Sequence, residues 1–202
     1  MAESVGPAKF FFRGKYFECP ESVYFPSEDS YFLAENISAG KNLSAIDVGC
    51  GSGIQSLNLL MNGAAKVIAL DINKEAAEAT LKNSVSAGFK GKVEARVSDM
   101  FENCPEKADI IVFNPPYVVS EGIKFKDLDG GRKGREVLDR FIEGFPRHLN
   151  MGGKSFFLQT DINGFAETKE KLMEKGLEFG IAARKRTFFE EMAVYRCRLK
   201  KL

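Results

Sequence analysis

The residues best suited to chemistry in this 202-residue chain are Asn114-Pro115-Pro116-Tyr117, which directly follow the apolar run Ile110-Ile111-Val112-Phe113. Prolines donate no backbone N–H and hold the chain extended, so carbonyl oxygens beside them stay free to accept. Asn114 adds a side-chain carbonyl, and Tyr117 offers a flat apolar face. Such a set can hold a planar NH2 group by its hydrogens and stack on the plane behind it. The chemistry it suits is the presentation of a poorly nucleophilic amide or amino nitrogen to an electrophile.

A second constellation begins at Asp47-Val48-Gly49-Cys50-Gly51-Ser52-Gly53. Glycines at alternate positions let the backbone bend tightly and let a ligand lie against it. On its own such a loop is equally a plain strand-to-helix turn. The spacing is G-x-G-x-G, with Ile54 where the dinucleotide fingerprint places its third glycine. Asp47 puts a negative charge at the strand end, which opposes a pyrophosphate and suits a cationic or amino-bearing ligand. A nucleoside with an amino-acid tail fits that charge better than one with a phosphate tail. Asp71 stands 22 residues after Gly49, at the end of the next strand, where an acid accepts both ribose hydroxyls. Its plainer reading is an acid preceding a helix. Ser98-Asp99-Met100 ends a third strand, where Asp99 could take an adenine amino group while Met100 packs on the ring.

These positions require a parallel sheet whose strands end together. From about residue 44 the apolar pattern alternates strand and helix, as βαβ units do. Strands are predicted at 45–48, 66–70, 93–97, 108–113 and 156–158. Helices are predicted around Ile54, Leu57 and Met61, and then from an Asn73 N-cap with Ala77, Leu81 and Val85 on the buried face. A further helix carries Val137, Leu138, Phe141 and Ile142, and another covers roughly 164–174. Ala193, Tyr195, Cys197 and Leu199 alternate with Arg196 and Arg198, which predicts a half-exposed antiparallel strand. Residues 1–43 are aromatic and less regular, with a helix expected from Ser27. In open α/β sheets ligands bind outside the carboxyl ends of the strands, where every candidate above falls.

Composition narrows the field. With 44% hydrophobic and 28% charged residues, the chain reads as one globular domain spanning 1–202. A single histidine, His148, rules out a His-based triad and a multi-histidine metal site. The four cysteines are scattered without a C-x-x-C pair, which argues against structural zinc and against a disulfide framework. No signal pattern opens the chain and no apolar run reaches membrane-spanning length, so a cytoplasmic protein is expected. The net charge of +1 gives little general attraction to nucleic acid. The late basic cluster Arg184-Lys185-Arg186 reads as a solvated face or strand edge.

Together these residues resemble the class I S-adenosylmethionine-dependent methyltransferases. More narrowly, the chain is similar to the HemK-like enzymes that methylate the glutamine amide in the Gly-Gly-Gln motif of class I translation release factors. The matching segments are Tyr24 to Ser30, Asp47 to Gly53, Asp71-Ile72-Asn73, Asp99-Met100, Phe113 to Val118 and Gly130 to Phe141. The last, with its Gly-Gly-Arg-x-Gly-Arg, looks like the short archaeal and eukaryotic branch. The resemblance implies a Rossmann-like, seven-stranded, mostly parallel α/β sheet with one reversed strand and helices on both faces. It implies that Ser30, Asp47, Gly49, Asp71, Asp99, Met100 and Asn114 line the S-adenosyl-L-methionine site, with Gly51, Gly53 and Ile72 beside them. The acceptor amide would lie against Asn114, Pro115, Pro116 and Tyr117. A release factor is the implied protein substrate, and a small zinc-binding activator subunit accompanies relatives in the eukaryotic branch. Asp47 stands where relatives often carry Glu. The helical domain that grips the release factor in bacterial members is missing ahead of the first strand. Docking therefore falls to the N-terminal aromatic segment, the Gly-Gly-Arg loop or a partner, and Arg132 and Arg135 suggest a substrate-side lid over 126–135. Because the proline motif is shared with amino-methyltransferases of nucleic acid, an adenine N6 in DNA or RNA is the alternative acceptor.

Overall fold

A computed structural model describes residues 6–121, 128–188 and 190–200. It opens with an antiparallel hairpin of β1 (Ala8–Phe12) and β2 (Lys15–Cys19), followed by helix α1 (Glu28–Glu35). Then come β3 (Ser44–Val48), α2 (Ile54–Met61), β4 (Lys66–Asp71), α3 (Lys74–Ser86) and β5 (Val93–Val97). The second half runs β6 (Ala108–Phe113), α4 (Glu136–Gly144), β7 (Leu149–Thr160), α5 (Phe165–Glu174), β8 (Leu177–Arg186) and β9 (Glu191–Leu199).

Seven of these strands form one sheet in the order β5-β4-β3-β6-β7-β9-β8. All pairings from β5 to β7 are parallel, and β9 alone runs against its neighbours. Strand β3 is interior to the sheet, and Ala45, Ile46 and Val48 give it apolar side chains on both faces, as a doubly covered parallel strand requires. Ile46 and Val48 point to one core with Phe113, Phe141 and Phe157, under α4 and α5. Ala45 points to the opposite core with Val112, Leu33 and Leu59, under α1 and α2. The chain moves from β3 outward to β4 and β5, then returns to the other side of β3 as β6. The sheet therefore switches direction between β3 and β6, and a crevice opens at that point.

Three expectations about elements are corrected. The N-terminal segment is a β-hairpin rather than irregular chain, and its Phe10, Phe12 and Phe17 make a third core with Ile54, Leu57 and Ala76. In α3 the buried side is Ala76, Ala77, Ala79, Thr80, Asn83 and Ser84, whereas Leu81 and Val85 are exposed. Small residues are needed there because the glycine loop comes close: a Cβ on Gly53, whose φ is +90°, would lie 3.0 Å from the Thr80 hydroxyl. Asn83 joins the layers by donating to Glu18 O and Ser52 O at 2.8 and 2.9 Å. The third correction concerns β9, which is antiparallel and exposes Arg196 and Arg198 as expected, but whose first half is buried on both faces, with Met192 and Val194 on one and Ala193 and Tyr195 on the other. Strand β8, absent from the expected elements, covers its far side and places Arg184-Lys185-Arg186 on the sheet edge, where charge discourages further pairing.

Candidate active site

A cavity of about 810 Å³ lies at the carboxyl ends of β3, β4, β5 and β6. Its floor is the glycine loop. Gly49 has φ +60°, and a Cβ there would press on the Phe113 ring at 3.1 Å. Gly51 has φ +54° and nothing within 4 Å of the Cβ position, so its bare backbone faces open space. Of the expected residues, Ser30, Gly49, Gly51, Asp71, Ile72, Asp99, Met100, Asn114 and Pro116 line this cavity. Asp47, Gly53, Pro115 and Tyr117 do not form its wall. Gly53 instead serves the contact with α3, and Asp47 lies directly behind the loop.

The Asp71 carboxylate joins two elements, accepting from Gly51 N at 2.9 Å and from Asn73 N at 2.8 Å. Asn73 caps α3 by accepting from Glu75 N at 2.9 Å. Asp99 reaches the cavity while its Oδ2 pairs with Arg140 at 2.9 Å. Met100 has φ +50°, a left-handed backbone held by the Ser98 hydroxyl donating to Met100 O at 2.9 Å.

Acidic and polar groups cluster at the α2 end of the cavity. Asp47 accepts from the Ser56 hydroxyl at 2.6 Å through one oxygen. Among the described residues, Asp47 Oδ1, Ser52 Oγ and Gln55 Oε1 are buried without a protein partner. Burial pushes the Asp47 carboxyl up to about 7, with Ser56 opposing and the Asp71 charge adding. The unpartnered oxygens of Ser52 and Gln55, both lining residues, with the Asp47 carboxyl behind the loop, fit the ammonium of an amino-acid tail. Asp71, at the neighbouring strand end, fits a ribose. The site therefore has the donor and acceptor pattern that S-adenosyl-L-methionine requires.

Behind Tyr24, Ser30 and Asn114, which line the cavity, lies a carboxylate from the Tyr24 to Ser30 segment whose part in the site the sequence did not reveal. Asp29 is 4% exposed. Its Oδ1 accepts from Ser30 N at 2.6 Å, the Ser30 hydroxyl at 3.1 Å and the Tyr24 hydroxyl at 3.1 Å. Its Oδ2 accepts from Asn114 Nδ2 at 3.2 Å and the Tyr117 hydroxyl at 3.3 Å. Asn114 Nδ2 also donates to the Ser30 hydroxyl at 3.3 Å, while Asn114 Oδ1 is buried with no partner among the described residues. Burial foremost, then Asp29, Tyr24 and Glu190, pushes the Tyr117 phenol well above its ordinary range, so it stays protonated. Tyr24, Ser52, Gln55 and Arg140 are further site residues that sequence reasoning left out. Tyr24, Ser52 and Arg140 carried a signal through their places in the Tyr24 to Ser30, Asp47 to Gly53 and Gly130 to Phe141 segments, and Gln55 carried none.

The arginine lid is corrected. Arg135 is 4% exposed and faces α5, donating to Asn163 O at 2.6 Å and Gly164 O at 3.0 Å, with ion pairs to Asp139 and Glu167. Arg132 is exposed on the outer side, beside α5 rather than on the cavity. The described part of the segment is bound to the chain after Tyr117: Val118 N donates to Leu128 O and Gly130 N to Val118 O. A Cβ on Gly134 would strike Tyr117 O at 2.3 Å, so glycine is required for that approach. Residues 126 and 127 of the expected lid lie outside the described residues.

Comparison with known proteins adds to this geometry. The methyltransferase small domain family matches residues 27–189. The chain is 40% identical over 182 residues to a candidate protein N5-glutamine methyltransferase of Methanocaldococcus jannaschii, covering 85% of this chain and 89% of that protein. It is 32% identical to the human methyltransferase HEMK2, over 85% of this chain and 87% of that one. Among solved structures, a chain of the E. cuniculi Mtq2–Trm112 complex, which methylates the termination factor eRF1, superposes with a TM-score of 0.71. That likeness spans 89% of this chain and 99% of the other at 23% identity, and it speaks for the fold.

Proposed function

The chain belongs to the methyltransferase small domain family, beside the protein N5-glutamine methyltransferases, and from that premise we propose that it methylates the glutamine side-chain amide of a class I release factor. One observation carries the acceptor site: Asn114 Oδ1 is buried and unpartnered while its Nδ2 is engaged. An oxygen so placed at the strand end accepts one hydrogen of an incoming NH2, and the Pro115 carbonyl takes the other. Tyr117 and Pro116 then flank the flat amide. Bound S-adenosyl-L-methionine supplies the electrophilic methyl group. Ser30, Gly49, Gly51, Asp71, Ile72, Asp99 and Met100 would hold it, Asp47 would support the loop from behind, and Gly53 keeps the loop seated on α3. The protein's contribution is alignment, together with acceptors for the positive charge that grows on nitrogen.

The surface beside the acceptor end favours a polypeptide over a nucleic acid, since the basic side chain of Lys185 there is taken up by an ion pair with Glu28 at 2.6 Å. Val118 and Val119 add exposed apolar surface directly after Tyr117. No helix among the described residues is long and apolar enough to cross a membrane. The proposed setting is the cytoplasm, with the chain acting as one methyltransferase unit alongside a small zinc-binding activator subunit. The test offers labelled methyl donor to a Gly-Gly-Gln release factor and, separately, to DNA and RNA, with and without such a subunit. Label on the factor's glutamine is expected. Label on adenine alone would transfer the assignment to the nucleic-acid alternative.

A further inference from the structure

We propose that Asp29 is the positioning residue that sets the orientation of the Asn114 amide, and so decides which end of it meets the acceptor. The inference rests on the reading of Asn114 as the group that receives the acceptor nitrogen. Asp29 gathers five donors, from Ser30 N, the hydroxyls of Ser30, Tyr24 and Tyr117, and Asn114 Nδ2. An ionised carboxylate only accepts, so a set composed entirely of donors matches it. The two Asn114 Nδ2 hydrogens face Asp29 Oδ2 and the Ser30 hydroxyl. Turning the amide over would abandon both bonds and set Asn114 Oδ1 against a buried negative charge. The carboxylate thereby keeps Oδ1 outward and unspent. Asp29 Oδ2 also accepts from the Tyr117 hydroxyl, so one side chain fixes both flanks of the acceptor position. Through Tyr24, which lines the cofactor cavity, it also ties that wall to the acceptor wall.

The isosteric variant Asp29→Asn separates orientation from packing. Ser30 N keeps the amide oxygen of the new residue on its side, so the new NH2 faces Asn114. Asn114 can then turn and give Oδ1 to that NH2, which consumes the acceptor. Turnover with the glutamine substrate is expected to fall about 100-fold, the scale of a misplaced catalytic contact, with the calorimetric Kd for cofactor unchanged. A second readout, independent of activity, is the pair of Asn114 side-chain NH2 resonances in the wild type, assigned by their loss in Asn114→Asp. Slow exchange with solvent is expected, lost in Asp29→Asn. Wild-type turnover in Asp29→Asn overturns the proposal, as does an equal loss of cofactor affinity, which would make Asp29 a cofactor ligand. If the variant fails to fold, solvent-like exchange of the wild-type Asn114 NH2 overturns it as well. A wild type that transfers no methyl to glutamine strikes at the substrate reading instead, and the resonances then decide on Asp29 alone.

Discussion

Asp47 and Asp71 are carboxylates at adjacent strand ends that live in different surroundings, and they behave differently. Asp71 meets two backbone N–H groups and borders the cavity. A charge-assisted bond from a ribose hydroxyl contributes about 1.5–3 kcal/mol, so Asp71→Ala is expected to weaken cofactor binding about ten- to 150-fold by calorimetry. An unchanged affinity would remove Asp71 from the site. Asp47 is buried and lifted to about 7, so the native state keeps a proton that the unfolded chain has already lost. Stability of the cofactor-free protein therefore falls as pH rises from about 4 through about 7 and stays low above that. Asp47→Asn has no such titration. Urea unfolding should show the variant gaining on the wild type by on the order of 1–4 kcal/mol between about pH 5 and pH 8. A gap that stays constant with pH would mean that Asp47 is solvated.

The glycine loop and its flanking strand and helix were legible in the sequence because local steric rules set them: glycines at positive φ, an Asn N-cap, short apolar strands. The buried face of α3 was not, because Leu81 and Val85 satisfy the helical period while a neighbouring loop admits only Thr80 and Ala76. Apolar periodicity cannot register an approach made by a distant segment. Strand β8 was missed for a related reason, since its polar and glycine-containing sequence acquires a partner only through β9. The Gly-Gly-Arg segment was seen but assigned the wrong direction. Its second arginine, Arg135, is an internal brace, holding the first turn of α5 and, through Asn163, the carbonyl of Tyr117. Arg135→Ala leaves buried carbonyls and Asp139 without their donor, and should reduce unfolding free energy by about 2–4 kcal/mol in urea titration. A change below about 0.5 kcal/mol would reduce Arg135 to a surface residue.

Across the whole molecule, four strand ends and the N-terminal turns of α1, α2, α3 and α4 converge on a single crevice because β3 sits where the strand order reverses direction. Sequence order conveyed much of that convergence, since Asp47, Asp71, Asp99 and Asn114 each lie at or just past the end of a strand. What it could not convey was how the N-terminal segment returns. The β1–β2 hairpin packs on α2 and α3, and the chain leaving it brings Tyr24 onto the crevice and Asp29 behind it from outside the βαβ repeat. Half of the acceptor site thus comes from a region with no regular pattern, and its role emerges only in three dimensions. The claim on which this assembly depends is that Asn114 receives the acceptor nitrogen. Its most direct test is single-turnover transfer of labelled methyl to a release-factor glutamine, at saturating cofactor, by wild type and by Asn114→Ala. A fall of about 100-fold or more, as when an oxyanion-hole donor is lost, is predicted, with the folded state intact. Turnover within about threefold of wild type would contradict the account.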